Sequence, residues 1–285
     1  MKKIMFLLLA ICSMSLTYAQ LDTLALEKTF GKKGTLQGEV YKITFPRFDL
    51  KVQVNDFSVA PGLALTSWIA FMKMGNEAMM MGDLVMQDAE VAEVVAKLVS
   101  LKLDITAIHN HLVNEIPAIK YLHFSGHGDA VELAKKIKTV LGVTATPMAS
   151  PPPSPSGNID WMGVEAVLGS KGKHAGNLLQ YSFPRNEQLT DEGMDMPPAI
   201  GMATAINFQM DGTRAGITGD FVLQADEVNK VVKALTENSI VVTAVHNHML
   251  YDNPRLFMLH FWAVGDPVKL ASGLKAALDK TNSKM

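Results

Sequence analysis

The chain is written twice. "LGSKGKHAG" (168–176) repeats "FGKKGTLQG" (30–38) at an offset of 138 residues, and "SFPR" repeats "TFPR" at the same offset. After a slip of one residue, "GDFVLQADEV" (219–228) follows "GDLVMQDAEV" (82–91) at an offset of 137. From Gly82 onward roughly two positions in five agree between the copies, too many for chance at a fixed register. Two copies are too few for a solenoid, which usually takes about three repeats or more. The expectation is a tandem pair of like domains with pseudo-twofold potential, residues 20–146 and 159–285. They are joined by the Pro/Ser-rich stretch 147–158, whose composition favours an extended linker.

Each copy reads alike at coarse level. A short helix ("LDTLALEKTFG", "IDWMGVEAVLG") stops at a glycine. Strands follow, among them "EVYKITF", "LKVQVNDF", "TSWIAFMKM" and "AMMMGDLVM". "DAEVAEVVAKLVSL" then sets Val91, Val94, Val95 and Leu98 at helical spacing behind Asp88 as a candidate cap. Two further strands, "DITAIHNHLV" and "AIKYLHFSG", precede a last helix opened by Asp129, or by Asp266 with Pro267 in its first turn. Strands outnumber helices and adjoin one another. The predicted class is therefore α+β, two pseudo-symmetric copies of a largely antiparallel sheet packed with helices.

The opening residues are of another kind. Met1, Lys2 and Lys3 form a positive start, "IMFLLLAIC" is an apolar run, and Ala19 in "TYAQ" is a small residue at a cleavage position. This reads as a signal peptide over residues 1–19, so an exported, periplasmic or secreted protein is expected. A lipid anchor on Cys12 is the competing reading, but Ile11 is bulky where lipidation signals take a small residue. Cys12 is the single cysteine, so cleavage after Ala19 leaves neither disulfides nor thiolate chemistry. Apolar residues make up 48% and the net charge is −2, enough for a real core and without the basic run that nucleic acid needs. No later segment is long and apolar enough to span a membrane.

Six of the 8 histidines fall in two matching stretches, "TAIHNHLVNEIPAIKYLHF" (106–124) and "TAVHNHMLYDNPRLFMLHF" (243–261). Alternation along a strand turns His109 and His111 to one face. A hairpin partner would bring His123 beside or diagonal to them. His246, His248 and His260 repeat the set. Three imidazoles from two strands suit a divalent transition metal, zinc first. Glu115 and Asp252, at one offset past the motif, are candidate carboxylates. Asp83 and Asp220, each after a glycine, are candidate ligands or bases, with a glycine–aspartate turn as the plainer reading. Buried, hydrogen-bonded histidines inherited through duplication are the competing explanation for the whole pattern.

Arg47 and Arg185 end the "FPR" strands, as anion clamps or, more simply, as structural ion pairs. The methionines of "MKMGNEAMMMG" suit soft metal chemistry or, more simply, core packing.

"KKGTLQGEVYKITFPR", "MGDLVMQDAEV", "TAIHNHL", "HGDAVELA", "TGDFVLQADEV", "TAVHNHMLYDNPRLFMLHFW" and "LASGLKAAL" together resemble the LppY/LpqO lipoprotein family, a bacterial domain family of unknown function. The resemblance spans nearly all the chain after the signal segment. It implies an exported protein and carries no established activity or catalytic residues.

Three functions follow. One is a metal-dependent hydrolase, in which the histidines hold the ion and Asp252, Asp220, Glu115 or Asp83 serves as base or further ligand. The second is a non-catalytic module binding a metal or a small envelope ligand. The third is a structural protein with core histidines.

Overall fold

A computed structural model describes residues 21–152 and 159–285; the proposed signal segment and the second half of the Pro/Ser stretch, 153–158, lie outside the described residues. In the first half, helix α1 (Thr23–Phe30) starts at Asp22, whose carboxylate accepts from the Ala25 N–H, and stops at Gly31 with φ 69°. That left-handed stop is where glycine is favoured. Strands β1 (Thr35–Gln37) and β2 (Val40–Pro46) follow, then the short β3 (Gln53–Val54) and β4 (Phe57–Ser58). Next come β5 (Thr66–Met74), β6 (Glu77–Gln87) and helix α2 (Val91–Ser100), then β7 (Asp104–His109), β8 (Glu115–Ile116), β9 (Ile119–Gly128) and helix α3 (Ala130–Leu141).

The second half repeats the series. It runs α4 (Met162–Leu168), β10 (Lys173–Ala175), β11 (Leu178–Pro184), β12 (Thr190–Asp191), β13 (Met194–Asp195), β14 (Ala203–Asp211) and β15 (Arg214–Gln224). Helix α5 (Ala225–Glu237), β16 (Val241–His246), β17 (Asp252–Asn253), β18 (Leu256–Gly265) and helix α6 (Pro267–Leu278) complete it.

Each half holds one six-stranded sheet, β1-β2-β5-β6-β9-β7 and β10-β11-β14-β15-β18-β16, and the short strands form two three-stranded sheets. Every strand pairing among the described residues is antiparallel. The chain is thus α+β with two tandem antiparallel copies, as the repeat implied. Asp129 and Asp266 cap α3 and α6 as expected, each accepting two backbone N–H groups. Asp88 does not cap α2. It opens a 3-10 turn, and Gln87 with Glu90 supplies a reciprocal capping box instead.

One face of each sheet packs on its own helices, around Phe45, Phe71 and Phe124 in the first half and Phe208, Phe221 and Phe261 in the second. The other faces pack on each other, giving four layers: helix, sheet, sheet, helix. Two apolar clusters cross this inner seam. One joins Val40, Met72, Met79 and Met81 to Val222, Leu256 and Met258. The other joins Val85, Ile119 and Tyr121 to Leu178 and Trp262. At the repeat offsets, Val40 corresponds to Leu178 and Val85 to Val222. The two clusters therefore exchange copies, as a twofold relation demands. The methionine run accordingly supplies core, and Trp262 packs edge-on against Phe57.

Candidate metal centre

Between the two apolar clusters the inner seam is polar. Asp83 on β6 lies directly opposite His123 on β9. β9 also pairs with β7, where a bulge at Thr106 sets Ala107 opposite His123 and His109 opposite Tyr121. His109 is thus diagonal to His123 on the same face, with ring centroids 4.9 Å apart. The second half builds the same corner. Asp220 is opposite His260, and a bulge at Thr243 sets Ala244 opposite His260 and His246 opposite Met258.

The structure departs from the sequence reading at two points. First, β7 and β16 end at His109 and His246, so His111 and His248 are carried by the following turns rather than by strand alternation. Those turns still bring the rings to 5.1 and 5.2 Å from their neighbours His109 and His246. Second, Gly82-Asp83 and Gly219-Asp220 are not turns. Both lie mid-strand, and the glycine is required there because a Cβ would collide with the Trp68 carbonyl and Phe124 ring, or with the Ala205 carbonyl.

The two corners meet. His109 stacks on His246 with ring centroids 3.8 Å apart, His111 lies 3.7 Å from His260, and His123 lies 3.9 Å from His248. At the offset of 137, His109 corresponds to His246, His111 to His248 and His123 to His260. The first contact sits on the pseudo-twofold axis, and the other two are its symmetry mates. The Thr243 hydroxyl donates to the His111 carbonyl (2.8 Å) and Asn247 Nδ2 to the Thr106 carbonyl (3.1 Å), tying the two halves together.

The donor atoms converge. Those of His109, His246 and His260 lie within 4.8 Å of one another, as do those of Asp83, His109 and His111, and those of Asp220, His248 and His260. His248 Nε2 is 3.1 Å from Asp220 Oδ2 without hydrogen-bond alignment, while His111 and His123 Nε2 stand 3.7 and 3.9 Å from Asp83 Oδ2. Asp83 Oδ1, His109 Nε2, His111 Nε2, both His123 ring nitrogens, Asp220 Oδ1 and His248 Nε2 are all buried without a hydrogen-bond partner. Buried polar atoms are rarely left so, and a cluster of them calls for an ion or water.

Protonation sharpens this. His260 Nδ1 contacts the Gly219 carbonyl at 2.8 Å and His246 Nδ1 the Asn247 carbonyl at 3.0 Å. A carbonyl only accepts, so each Nδ1 carries the hydrogen and each Nε2 offers a lone pair. Yet the two Nε2 atoms face each other at 2.7 Å. Two lone pairs at that distance repel unless a cation or proton lies between them. Burial, followed by the neighbouring imidazoles, pushes His246 and His260 down to about 3. Burial likewise lowers His111 to about 4 and holds His109 and His123 far below the usual imidazole range. Either a shared proton or a cation relieves that contact, and the orphaned donors of His109, His111, His123, His248, Asp83 and Asp220 around it favour the cation. An Nδ1–H on a carbonyl with a free Nε2 is also the usual arrangement of a ligating histidine. Of the carboxyls, Asp83 is pushed up to about 7 by burial, against the attraction of His248 and His260. Asp220 is held below the carboxylate range, because His260 and His248 outweigh its burial.

The remaining candidates are placed elsewhere. Glu115 on β8 accepts from the Ile119 N–H (3.0 Å), and Asp252 on β17 accepts from Arg255 (2.9 Å) and the Leu256 N–H (2.5 Å). Both carboxylates brace the turns of the small sheets and stand outside the converging donor groups. Arg47 and Arg185 are fully buried ion-pair centres, the first with Asp49 and Glu90, the second with Glu187 and Glu227. Of the other histidines, His127 lies 3.8 Å from Glu192, and His174 pairs with Glu165 on the surface.

Two cavities reach the cluster. One, of about 470 Å³, has Asp83, His111, His123, Asp220 and His248 at its floor and Lys42, Trp68, Gln180 and Asn207 on its walls. The other, of about 420 Å³, approaches His248 past Met79, Met81, Asp104, Asp191 and Glu192. Lys42 and Trp68 escaped the sequence reading. The available signal was the alternation of β2, where Lys42 and Thr44 share one face with buried Val40; that face looks solvent-directed until a second sheet is laid upon it.

Among solved structures, the chain resembles EtuB from Clostridium kluyveri at 11% identity, over 87% of this chain and 88% of that one, with a TM-score of 0.22. It also resembles the trimeric bacterial microcompartment shell protein PduB, at 11% identity over 87% and 89%, with a TM-score of 0.23. Likenesses at such scores carry no argument about function. No curated protein matches the chain in sequence. A domain family matches at residues 24–143 and again at 162–280, one copy in each half. The chain belongs to that family, which is described as a Domain of Unknown Function (DUF1259).

Proposed function

We propose that this protein holds a divalent transition metal at a centre assembled from both halves, and that it is a hydrolase using that metal. The carrying observation is the pair of Nε2 lone pairs of His246 and His260, 2.7 Å apart, each ring anchored through Nδ1 to a carbonyl. The orphaned atoms of His109, His111, His123, His248, Asp83 and Asp220 extend the donor set around them. Imidazole nitrogens and carboxylate oxygens without thiolate suit zinc first.

When bound, such an ion supplies Lewis acidity and a water of lowered pKa. The chain's own part is to hold the imidazoles neutral and aimed, to offer Asp83 or Asp220 as ligand or proton acceptor, and to keep one side open. Catalytic metal sites keep an open position where structural ones are closed. The cavity against Asp83, His111, His123, Asp220 and His248 supports the catalytic reading. A non-catalytic module for a metal or small envelope ligand is the second reading, favoured by the depth of burial of His123 and His260, 2% and 0% exposed. The signal-like opening and the LppY/LpqO resemblance support export. Among the described residues no helix is long and apolar enough to cross a membrane.

The test is elemental mass spectrometry of the purified chain, with ester and amide hydrolysis assayed in the zinc-loaded and chelated forms. Bound metal with chelator-sensitive hydrolysis supports the enzyme; bound metal without turnover supports the binding module. A chain that takes up no metal after reloading with Zn, Mn, Fe, Cu and Ni excludes the metal-dependent enzyme and the metal-binding module, leaving only a module for a small ligand.

A further inference from the structure

The floor of the cavity obeys the pseudo-twofold, but its walls do not. At the repeat offsets Lys42 corresponds to Gln180, Trp68 to Ala205, and Ala70 to Asn207. A relic of duplication would keep both walls alike. Here one wall has become cationic and aromatic, and the other carries neutral amides. All but Ala70 line the same space.

Lys42 is the unusual member. Its ammonium lies 3.8 Å over the Trp68 ring and 3.4 Å from the Ala199 carbonyl. Among the described residues no carboxylate lies within ion-pair reach of it, and Asp83 acts on it only through space. Across the cavity, Gln180 Nε2 donates to the Gly62 carbonyl (3.2 Å) and Asn207 Nδ2 to the Leu63 carbonyl (3.4 Å). Those bonds hold the amides in place and leave each a second N–H.

The same three residues, Lys42, Gln180 and Asn207, also line an outer space of about 490 Å³ that carries Lys171 and Lys173 and no acidic residue. A positive path thus leads inward to the donor cluster. The cleft on the other side of the cluster is mixed, with Asp104, Asp191 and Glu192 beside Lys102 and His127. The single-sign lining of the outer space concentrates anions; the inner cavity sets Lys42 on its wall against Asp83 and Asp220 at its floor, and its volume of about 470 Å³ is that of a small-molecule site.

We propose that this cavity binds a small molecule bearing a phosphate or carboxylate group, with Lys42 as its ionic anchor, Gln180 and Asn207 as neutral donors, and the metal centre at its floor. The inference rests on the metal reading for its floor and on Lys42 for its walls, and these fail separately.

The experiment is calorimetric titration of the full chain, zinc-loaded and chelated, with inorganic phosphate in one arm and acetate in the other. Lys42→Gln, Lys42→Arg and Gln180→Ala are compared, with zinc content measured on each. At least one anion is expected to bind zinc-loaded wild type, weakening as salt is added. Lys42→Gln should lose about tenfold in affinity and Lys42→Arg no more than about threefold, with zinc content unchanged, since a charge-assisted hydrogen bond is of that size. Should Lys42→Gln fold poorly, Gln180→Ala with a loss of about threefold and the salt dependence of wild type carry the test. Binding of neither anion, or binding indifferent to Lys42 and to salt, overturns the proposal. Lys42-dependent binding to a chain that takes up no zinc keeps the anion site and removes the metal floor.

Discussion

The imidazoles of His109 and His246 lie face to face, 3.8 Å between centroids and 16° between planes, one from each half of the chain. They are equivalent in the repeat, so the pseudo-twofold passes between them. With His111 on His260 and His123 on His248, they turn two corners into one centre. That crowded, buried arrangement lowers the proton affinity of His109, His111, His123, His246 and His260, and the first prediction follows from it.

In the metal-free protein, stability falls as pH falls. The folded pKa values of His111, His246 and His260 are lowered to about 4, 3 and 3, with His109 and His123 lower still. Below roughly pH 6.5 the unfolded chain binds protons that the folded one refuses, while above it both forms are neutral and the effect vanishes. Each such histidine costs up to ~2 kcal/mol at about pH 5. Asp83, raised to about 7, works the other way and offsets about one of them. Thermal melts in chelator should show a drop of about 5 °C or more between about pH 7 and pH 5. A flat or rising melting temperature would count against neutral, crowded imidazoles.

Gly219→Ala tests the strand beneath the site. The added Cβ meets the Ala205 carbonyl across the ladder, and the Gly219 carbonyl anchors His260. A loss of about 1–3 kcal/mol in denaturant unfolding is expected, with weaker zinc binding. Stability and zinc affinity both unchanged would contradict the mid-strand placement.

Arg185→Ala strips a bidentate partner from Glu227 (2.6 and 2.9 Å) and a donor from the Val222 carbonyl (2.7 Å). Leaving Glu227 buried and unpaired should cost about 3–5 kcal/mol. Metal content should not change, because this pair braces the strand ends. Loss of metal at unchanged stability would assign the arginine to the site.

Asp252→Ala should cost about 1 kcal/mol, as the loss of a local cap does, and leave zinc affinity intact. Its oxygens serve Arg255 and the Leu256 N–H. A large fall in zinc affinity would bring Asp252 back into the centre.

Much of this was legible in the residues. The repeat announced two antiparallel copies, and strand alternation with a diagonal neighbour foresaw His109 against His123. The methionines read correctly as core. Three features were hidden for physical reasons. Gly82-Asp83 has the chemistry of a turn, and only the Phe124 ring packed behind it explains a mid-strand glycine. His111 and His248 sit past the strand ends, where alternation no longer applies. The merging of both corners depends on how two sheets stack, about which a repeat offset carries no information; for the same reason nothing in the residues singled out Lys42.

The most direct measurement is zinc affinity by chelator competition for wild type, His109→Ala/His111→Ala and His246→Ala/His248→Ala, with metal content read by elemental mass spectrometry. If both halves build one centre, wild type binds zinc stoichiometrically and either double substitution lowers the affinity of the whole centre by about 100-fold or more, the scale of losing ligands from a zinc site. If wild type takes up no metal, or if either variant keeps half the wild-type zinc at unchanged affinity, the shared centre is wrong.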